Sequence, residues 1–244
     1  MERANILGCG VDLVSMEQAV TLIEKMVESG RPHQVITLNA EIIYQAREDA
    51  DLQRIINHAD LVTPDGIGVV WAAGYLGYRS AGRVTGIDLL EQIGAKAAEL
   101  GWKVYLLGSA PGVAEAAGKA LQNRYPGLKV VGTHHGYFKN EDLPALLDEI
   151  KELGPDLLCA ALGAPGQEIW ISRYKEQLGV PVMIGVGGSL DVIGGFKQRA
   201  PELFIKLNLE WFYRLVSEPS RLKRQMVLPR FAGRVLREKH RKRS

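Results

Sequence analysis

The stretch that decides the fold reads Lys103-Val104-Tyr105-Leu106-Leu107-Gly108-Ser109-Ala110-Pro111-Gly112, an apolar run followed by a glycine-rich turn. Three more apolar runs follow at residues 129–132, 156–162 and 181–186, with a segment of helical pattern between successive runs. A recurrence of about 25–28 residues is typical of βαβ units. The pattern therefore predicts an α/β protein whose Rossmann-like core, residues 102–195, is a parallel sheet with flanking helices.

Residues 1–101 are predicted to form an N-terminal mixed α/β lobe. Ser15 and Gln18 form a capping-box pattern that predicts a helix over residues 16–29. Short apolar runs at residues 34–38 and 61–63 predict strands or buried turns, and the helical pattern of residues 40–59 separates them. Cys9 and Cys159 lie in apolar runs, so we expect two buried thiols rather than a disulfide or a metal pair.

The charge of the chain is divided unevenly. Residues 196–244 hold 14 of the 30 Lys and Arg but 4 of the 28 Asp and Glu, a net charge of +10, whereas residues 1–195 hold 16 basic and 24 acidic residues, a net charge of −8. Aromatic and aliphatic residues such as Trp211, Phe212 and Phe231 lie among these basic residues. A basic helix with an apolar face suits an anionic bilayer surface, so residues 196–244 are predicted to be a basic helical C-terminal appendage that docks on a membrane.

The longest uncharged stretches, residues 66–78 and 157–167, are shorter than the ~20 apolar residues of a membrane-spanning helix. The N-terminus shows no basic segment leading into an apolar one, so no export signal is expected. These features favour a cytoplasmic protein. Nucleic acid would also attract the basic segment, but no recognised nucleic-acid module accompanies it, so a nucleotide-sensing protein that binds nucleic acid is the alternative rather than the main prediction.

Glycine-rich segments follow three of the predicted strands, at residues 108–112, 163–168 and 185–191. Ligands of open parallel sheets bind beyond the carboxyl ends of the strands, and glycine-rich turns expose backbone N–H groups to phosphates. Gly108, Gly163 and Gly187 are therefore candidates for nucleotide binding. Glycine also serves only to let a helix pack against a strand, and the incomplete Gly-x-Gly-x-x-Gly pattern argues against an NAD(P)-dependent oxidoreductase.

Six motifs follow one another along the chain: Thr-Leu-Asn-Ala-Glu at 37–41, Thr-Pro-Asp-Gly at 63–66, Arg-Val-Thr-Gly at 83–86, Gly-Ala-Pro-Gly-Gln-Glu-Ile-Trp at 163–170, Arg-Ala-Pro at 199–201 and Leu-Glu-Trp-Phe-Tyr-Arg-Leu at 209–215. In this order they resemble the WecG/TagA/CpsF glycosyltransferases, glycosyltransferase family 26, over nearly the whole chain.

The resemblance implies transfer of an N-acetylhexosamine from a UDP-sugar to undecaprenyl-diphosphate-linked N-acetylglucosamine, with inversion. It is closest to the branch that makes the linkage unit of wall teichoic acid from UDP-N-acetylmannosamine through a β-1,4 linkage. A family member using UDP-N-acetylmannosaminuronic acid or UDP-glucose for another polysaccharide stays open. Because the polyprenyl acceptor stays in the bilayer, the implied location is peripheral, at the inner face of the bacterial plasma membrane.

The resemblance also points to catalytic residues. Asp65 is the candidate general base that takes the proton of the acceptor hydroxyl, although an aspartate in a Pro-Asp-Gly turn also serves as a plain turn or helix cap. Arg83 is a candidate contact for a diphosphate or for the acceptor, the alternative being a solvated loop charge. Thr37 and Asn39 end a strand two residues apart, so they point to the same side and reach the sugar or diphosphate, or they cap the next helix.

Gln167 is a candidate donor to a sugar hydroxyl, whereas its neighbour Glu168 is predicted to serve the helix dipole. Asp191 is a candidate for contact with a ribose or uracil. In the tail, Arg214, Arg221 and Arg224 lie 7 and 3 residues apart and share one face if a helix continues through Pro219. We hypothesise that some of these arginines neutralise a substrate diphosphate. The alternative is that they only attract lipid.

No metal or other cofactor is predicted. Asp49-Ala50-Asp51 matches the metal-binding Asp-x-Asp pattern of many nucleotide-sugar enzymes, but it lies between helical patterns, so capping is the favoured interpretation. His134 and His135 have no third ligand at suitable spacing. The expected partners are a UDP-sugar, a polyprenyl-diphosphate-linked acceptor and an anionic membrane surface, with no nucleic acid, and a homodimer or homotrimer in solution.

Overall fold

The structure is a computed structural model that describes residues 2–79, 81–217 and 226–241. The side chain of Arg214 is outside the described part of the chain, as are Arg221 and Arg224. The three predictions made for these arginines therefore stay predictions.

The centre of the molecule is a six-stranded sheet in which every neighbouring pair of strands is parallel. Its order is β4-β3-β8-β7-β5-β6, and an antiparallel hairpin of β1 and β2 is separate from it. The strands are β1 (Arg3–Ile6), β2 (Cys9–Asp12), β3 (His33–Leu38), β4 (Leu61–Pro64), β5 (Lys103–Gly108), β6 (Lys129–His134), β7 (Leu157–Ala161) and β8 (Val182–Gly185). The predicted α/β, Rossmann-like fold is confirmed.

Helices cover both faces of the sheet, which is why the strands are apolar on both sides. Helices α1, α5, α6 and α9 pack on one face, and α2, α3, α4, α7, α8 and α12 pack on the other. The described helices are α1 (Met16–Ser29), α2 (Ala40–Ala46), α3 (Ala50–His58), α4 (Ile67–Leu76), α5 (Gly86–Leu100), α6 (Val113–Arg124), α7 (Leu143–Leu153), α8 (Gly166–Leu178), α9 (Ser189–Ile193), α10 (Glu202–Lys206), α11 (Glu210–Ser217) and α12 (Val227–Arg241).

The local capping signals of the N-terminal third are confirmed. The Ser15 hydroxyl accepts the Gln18 N–H and the Gln18 side chain accepts the Ser15 N–H, which begins α1 at the predicted place. The predicted helical stretch 40–59 is two helices, because the Asp49 carboxylate accepts the N–H groups of Asp51 and Leu52 and so begins α3 anew. The Asp-x-Asp pattern is therefore used for capping.

Both cysteines are buried and free, as expected. Removal from water disfavours the thiolate, and burial raises the pKa of Cys9 to about 12 and raises that of Cys159 as well. Neither thiol has the electropositive, accessible surroundings of a reactive cysteine.

Two strands from residues 1–101 belong to the same sheet as the Rossmann-like core. Strand β3 pairs with β8, and β4 pairs with the other side of β3. The hairpin is attached to β4 by the Asp12 carboxylate, which accepts the Val62 N–H at 2.8 Å. The boundary predicted at residue 101 thus falls between strands that share one sheet and one set of core contacts.

The C-terminal segment has two different parts. Helix α12 packs against α2 and α4, and the side chains of Phe231 and Val235 are 2% and 0% exposed within the core. Helices α10 and α11 instead expose large apolar side chains, among them Leu203, Phe212 and Val216. No helix of the described residues has the length and apolar character to cross a membrane.

Candidate active site

A cavity of about 690 Å³ opens at the carboxyl ends of β3, β4, β7 and β8. The residues that directly follow these strands form its floor, and residues from α11 and α12 form part of its wall. This is the edge at which ligands of open parallel sheets bind. The predicted site residues that line it are Thr37, Asn39, Asp65, Arg83, Gly163, Gln167 and Gly187.

Two predicted residues, Gly108 and Asp191, do not line this cavity. Gly108 ends β5, which is separated from β8 by β7, so its turn lies to one side of the cavity. A Cβ at Gly108 would collide with the backbone carbonyl of Ala161, so glycine is needed there for close approach of β5 and β7. Two of the three glycine-rich turns therefore meet at the cavity, rather than all three.

Asp191 lies beside the cavity instead. Its carboxylate accepts a hydrogen bond from the Ser109 hydroxyl at 3.0 Å and lies 3.9 Å from the ammonium of Lys197. Lys197 itself lines the cavity. Asp191 thus joins the first glycine-rich turn to a cationic side chain at the cavity wall, and its contact with a ribose or uracil stays a prediction.

Asp65 is presented to the cavity by the turn after β4. Its N–H donates to the Leu38 carbonyl at 2.9 Å, which continues the pairing of β3 and β4 by one residue. Its carboxylate accepts the Gly86 N–H at 3.5 Å. Gly86 is the first residue of α5, and a helix N-terminus stabilises nearby negative charge. One hydrogen bond thus fixes the backbone of this turn at the edge of the sheet, and the other contacts the half-buried carboxylate.

Thr37 and Asn39 each have a structural contact as well as a place in the cavity wall. The Thr37 hydroxyl donates to the Gly185 carbonyl at 2.9 Å, which links the ends of β3 and β8. The Asn39 side-chain carbonyl accepts the Ile42 N–H at 3.0 Å and caps α2. The capping alternative is therefore observed for Asn39, while the contacts that both residues make with a substrate stay predictions.

Gln167 and Glu168 form a buried polar pair at the first turn of α8, with exposures of 2% and 1%. The Gln167 carbonyl oxygen accepts the Gly187 N–H at 3.1 Å, and its amide nitrogen donates to one Glu168 carboxylate oxygen at 2.9 Å. The other carboxylate oxygen has no hydrogen-bond partner. Burial raises the pKa of Glu168 to about 7. Glu168 thereby fixes which way the Gln167 amide faces.

Position 185 requires glycine because the Gln167 side chain lies against it. A Cβ at Gly185 would lie 2.5 Å from the amide nitrogen of Gln167. The Gln167 amide therefore lies flat against the end of β8, where the Gly185 carbonyl also accepts the Thr37 hydroxyl. One continuous network joins α8, β8 and β3 beneath the cavity.

Two ion pairs connect the cavity to the C-terminal segment. The Arg83 guanidinium pairs with the Glu210 carboxylate, and both side chains are mostly buried. Arg199 pairs with Asp88, whose carboxylate also accepts the Thr85 hydroxyl at 2.6 Å. Glu210, Lys197 and Trp71 line the cavity but were not predicted as site residues. Glu210 was detectable as one of the four acidic residues of the basic segment, within the motif at 209–215.

The comparison with known families identifies the family that the six sequence motifs resemble. The model of the "Glycosyl transferase WecG/TagA/CpsF family" matches residues 4–244. The chain belongs to this family. It is therefore a glycosyltransferase family member whose sheet-edge cavity collects five of the residues that the resemblance marked as catalytic.

Two relatives from Staphylococcus aureus carry the name N-acetylglucosaminyldiphosphoundecaprenol N-acetyl-beta-D-mannosaminyltransferase. The protein from strain MW2 is 37% identical over 97% of this chain and 93% of its own length. The protein from strain MRSA252 is 36% identical over the same shares of the two chains. The similarity thus extends over both the sheet and the C-terminal segment.

Proposed function

We propose that the protein transfers N-acetylmannosamine from UDP-N-acetylmannosamine to undecaprenyl-diphosphate-linked N-acetylglucosamine, in a β-1,4 linkage, during synthesis of the wall teichoic acid linkage unit. The names and full-length similarity of the staphylococcal relatives support the acceptor and the transferred sugar. The observation that carries the proposal is the meeting of the Asp65 carboxylate and the Arg83 guanidinium in one large cavity.

The proposed chemistry is a single displacement with inversion. Asp65 accepts the proton of the acceptor hydroxyl while the hydroxyl oxygen forms a bond to the anomeric carbon of the donor sugar. The bond between that carbon and the UDP diphosphate breaks, and the electron pair leaves with UDP. The Leu38 and Gly86 contacts of Asp65 support this role because they fix the carboxylate before substrate arrives.

The departing diphosphate needs positive charge and hydrogen-bond donors. Arg83 and Lys197 are the cations we assign to it, because both line the cavity. A guanidinium has five N–H donors, so Arg83 contacts the diphosphate while it keeps Glu210 as a partner. Gln167 contributes by holding the Gly187 turn in place.

No metal is required by this mechanism. The Asp49 carboxylate of the Asp-x-Asp sequence caps α3. Neither Asp49 nor Asp51 lines the cavity in which we place the diphosphate. Among the residues that the structure describes, no group of three or more His, Cys, Asp and Glu is arranged to hold a metal ion. We expect transfer to proceed unchanged in EDTA, and restoration of lost activity by Mn²⁺ or Mg²⁺ would contradict this.

We further propose that the protein acts as a peripheral protein at the inner face of the bacterial plasma membrane. The exposed apolar side chains of α10 and α11 support this, because α11 also provides Trp211 and Leu215 to the cavity wall. A surface that enters the bilayer at this place brings the cavity to a lipid-linked acceptor. In solution, we expect the protein to form a dimer or trimer that shields the same side chains from water.

The decisive experiment is a transfer assay with a soluble short-chain diphosphate-linked N-acetylglucosamine acceptor and three donors, UDP-N-acetylmannosamine, UDP-N-acetylmannosaminuronic acid and UDP-glucose. Asp65→Asn should lower turnover with the first donor by about 10²–10⁴-fold, because the amide accepts no proton. The control Asp148→Asn changes an exposed carboxylate of α7 by the same atoms and should act as wild type. Turnover of Asp65→Asn within a few-fold of the control would refute the assignment.

A further inference from the structure

A second cavity, of about 350 Å³, lies between α2 and α12. Its lining residues are Tyr44 from α2 and Arg230, Gly233, Arg234 and Arg237 from α12. Three exposed arginines thus line one concave space, and no Asp or Glu lines it. We call these three arginines and Tyr44 the arginine pocket.

The sequence places the three arginines on one flank of α12. Arg230, Arg234 and Arg237 are four and three residues apart, and residues with this spacing are neighbours on a helix surface. Phe231 and Val235 form the buried stripe of the same helix. At about 100° per residue, the arginines lie on one side of this stripe, while Leu228 and Ala232, which line the active-site cavity, lie at its other side.

Like charges at these spacings repel each other, and no Asp or Glu lines the cavity beside them. Within residues 2–79, 81–217 and 226–241, no carboxylate forms an ion pair with Arg230, Arg234 or Arg237. Arg83, Arg124 and Arg199 differ in this respect, because each is paired with a carboxylate from another element. The arginine pocket therefore holds positive charge that an external anion would neutralise.

We propose that the arginine pocket binds the phosphate group of an anionic ligand. Guanidinium groups form paired N–H···O hydrogen bonds that match the geometry of phosphate oxygens, and the phenol of Tyr44 adds an O–H donor. The cavity is roughly ten times the ~30 Å³ that one water molecule occupies, so it accommodates a phosphate with an organic group attached, rather than only a small inorganic ion.

Such a ligand would affect the active site through helices α2 and α12. It would contact both α2 and α12, and each of these helices lines the active-site cavity with other residues, Ile42 on α2 and Ala232 on α12. Because it binds only when the two helices are packed together, it stabilises the packed position of α12 by mass action. The same chemistry is found in a phospholipid headgroup and in a soluble phosphate ester, and binding measurements with one probe of each kind separate the two.

The test compares two double variants with the same loss of charge. Arg230→Gln with Arg237→Gln removes two cations from the arginine pocket, whereas Arg31→Gln with Arg173→Gln removes two exposed cations that lie outside α12. Circular dichroism melting first establishes that both variants fold as wild type does. Binding is then measured by titration with glycerol 3-phosphate, and by sedimentation with phosphatidylglycerol vesicles against phosphatidylcholine vesicles.

We expect the pocket variant to lose about tenfold or more in affinity for at least one phosphate probe, and the control variant to lose at most a few-fold. Loss with glycerol 3-phosphate identifies a soluble phosphate ester as a sufficient ligand, and loss confined to phosphatidylglycerol vesicles identifies a lipid headgroup. Equal losses in both variants, or wild-type binding of both probes by the pocket variant, would overturn the proposal, because the charge would then act only as a diffuse surface.

Discussion

The guanidinium of Arg83 pairs with the carboxylate of Glu210, although 127 residues separate the two along the chain. Arg83 lies in the loop before α5, and Glu210 is the first residue of α11. The pair therefore fixes the start of the apolar C-terminal helices relative to the floor of the active-site cavity. It also keeps a cationic side chain at the wall of this cavity.

The two ends of this pair should respond differently to substitution. Arg83→Gln and Glu210→Gln both remove the ion pair, so both should lower the free energy of unfolding by a similar amount, roughly 1–3 kcal/mol. Only Arg83→Gln also removes the proposed diphosphate contact, and its kcat should fall at least tenfold further than that of Glu210→Gln. Denaturant unfolding and steady-state kinetics measure the two effects. Glu202→Gln, which breaks an exposed pair with Lys206, is the control. Equal kcat values for the two variants would leave Arg83 with a structural role alone.

Gly185→Ala tests the network beneath the cavity. The added methyl group would lie 2.5 Å from the Gln167 amide nitrogen and would displace that side chain, together with the Gly187 turn that it holds. We expect transfer to fall at least tenfold, with destabilisation of about 1–3 kcal/mol from overpacking. Gly74→Ala is the matched control, because an added Cβ there meets nothing within 4 Å and alanine favours the helix. Normal transfer by Gly185→Ala would show that the orientation of Gln167 is unimportant.

Glu168 should make stability depend on pH. Burial raises its pKa from 4.5 to about 7, so between these values the folded protein keeps a proton that the unfolded chain has released. Stability therefore falls as pH rises from about 4.5 to 7 and is lowest above that range. Glu168→Gln should remove this dependence and gain up to roughly 3 kcal/mol over wild type at pH 8. Urea unfolding between pH 5 and 8 measures it, with the exposed Glu152→Gln as control. A variant whose pH profile parallels that of wild type would contradict the prediction.

Phe231→Ala should destabilise the whole protein, not only its C-terminal segment. The side chain is 2% exposed and belongs to the cluster formed by α2, α3 and α4, so its truncation should cost about 3–5 kcal/mol. Leu236→Ala removes an exposed apolar side chain of the same helix and should cost less than about 1 kcal/mol. Thermal unfolding followed by near-ultraviolet circular dichroism would measure this loss of stability. For the same reason, deletion of residues 196–244 would remove core side chains together with the basic charge, and substitutions separate the two effects better.

Much of the fold was predictable because its signals are local. Apolar runs, capping residues and glycine-rich turns predicted β3 to β8 and the start of α1 from the sequence alone. The position of β3 and β4 in the sheet was not predictable in this way. Their pairing with β8 depends on contacts between distant residues, such as Thr37 with Gly185, which no periodicity reports.

The site was partly predictable for the same reason. Asp65, Thr37 and Gln167 lie in motifs at strand ends, so both the fold and the family resemblance marked them. Glu210 was not predicted as a site residue because the sequence does not show its ion pair with Arg83, which is 127 positions away. Burial of Phe231 was missed because the sequence does not show whether the apolar face of a basic helix contacts a membrane or the core of its own protein.

The strand order has a consequence for the way the protein is made. Strand β3 lies between β4 and β8, and residues 37 and 185 of the two paired strands are 148 positions apart. During synthesis from the N-terminus, β3 and β4 emerge long before β8, so one edge of that strand pair has no partner until three-quarters of the chain has left the ribosome. Long-range parallel pairing of this kind folds slowly and exposes strand edges to aggregation in the interval. The part of the sheet that carries Asp65 is therefore completed only after the segment that carries Gln167 has been synthesised.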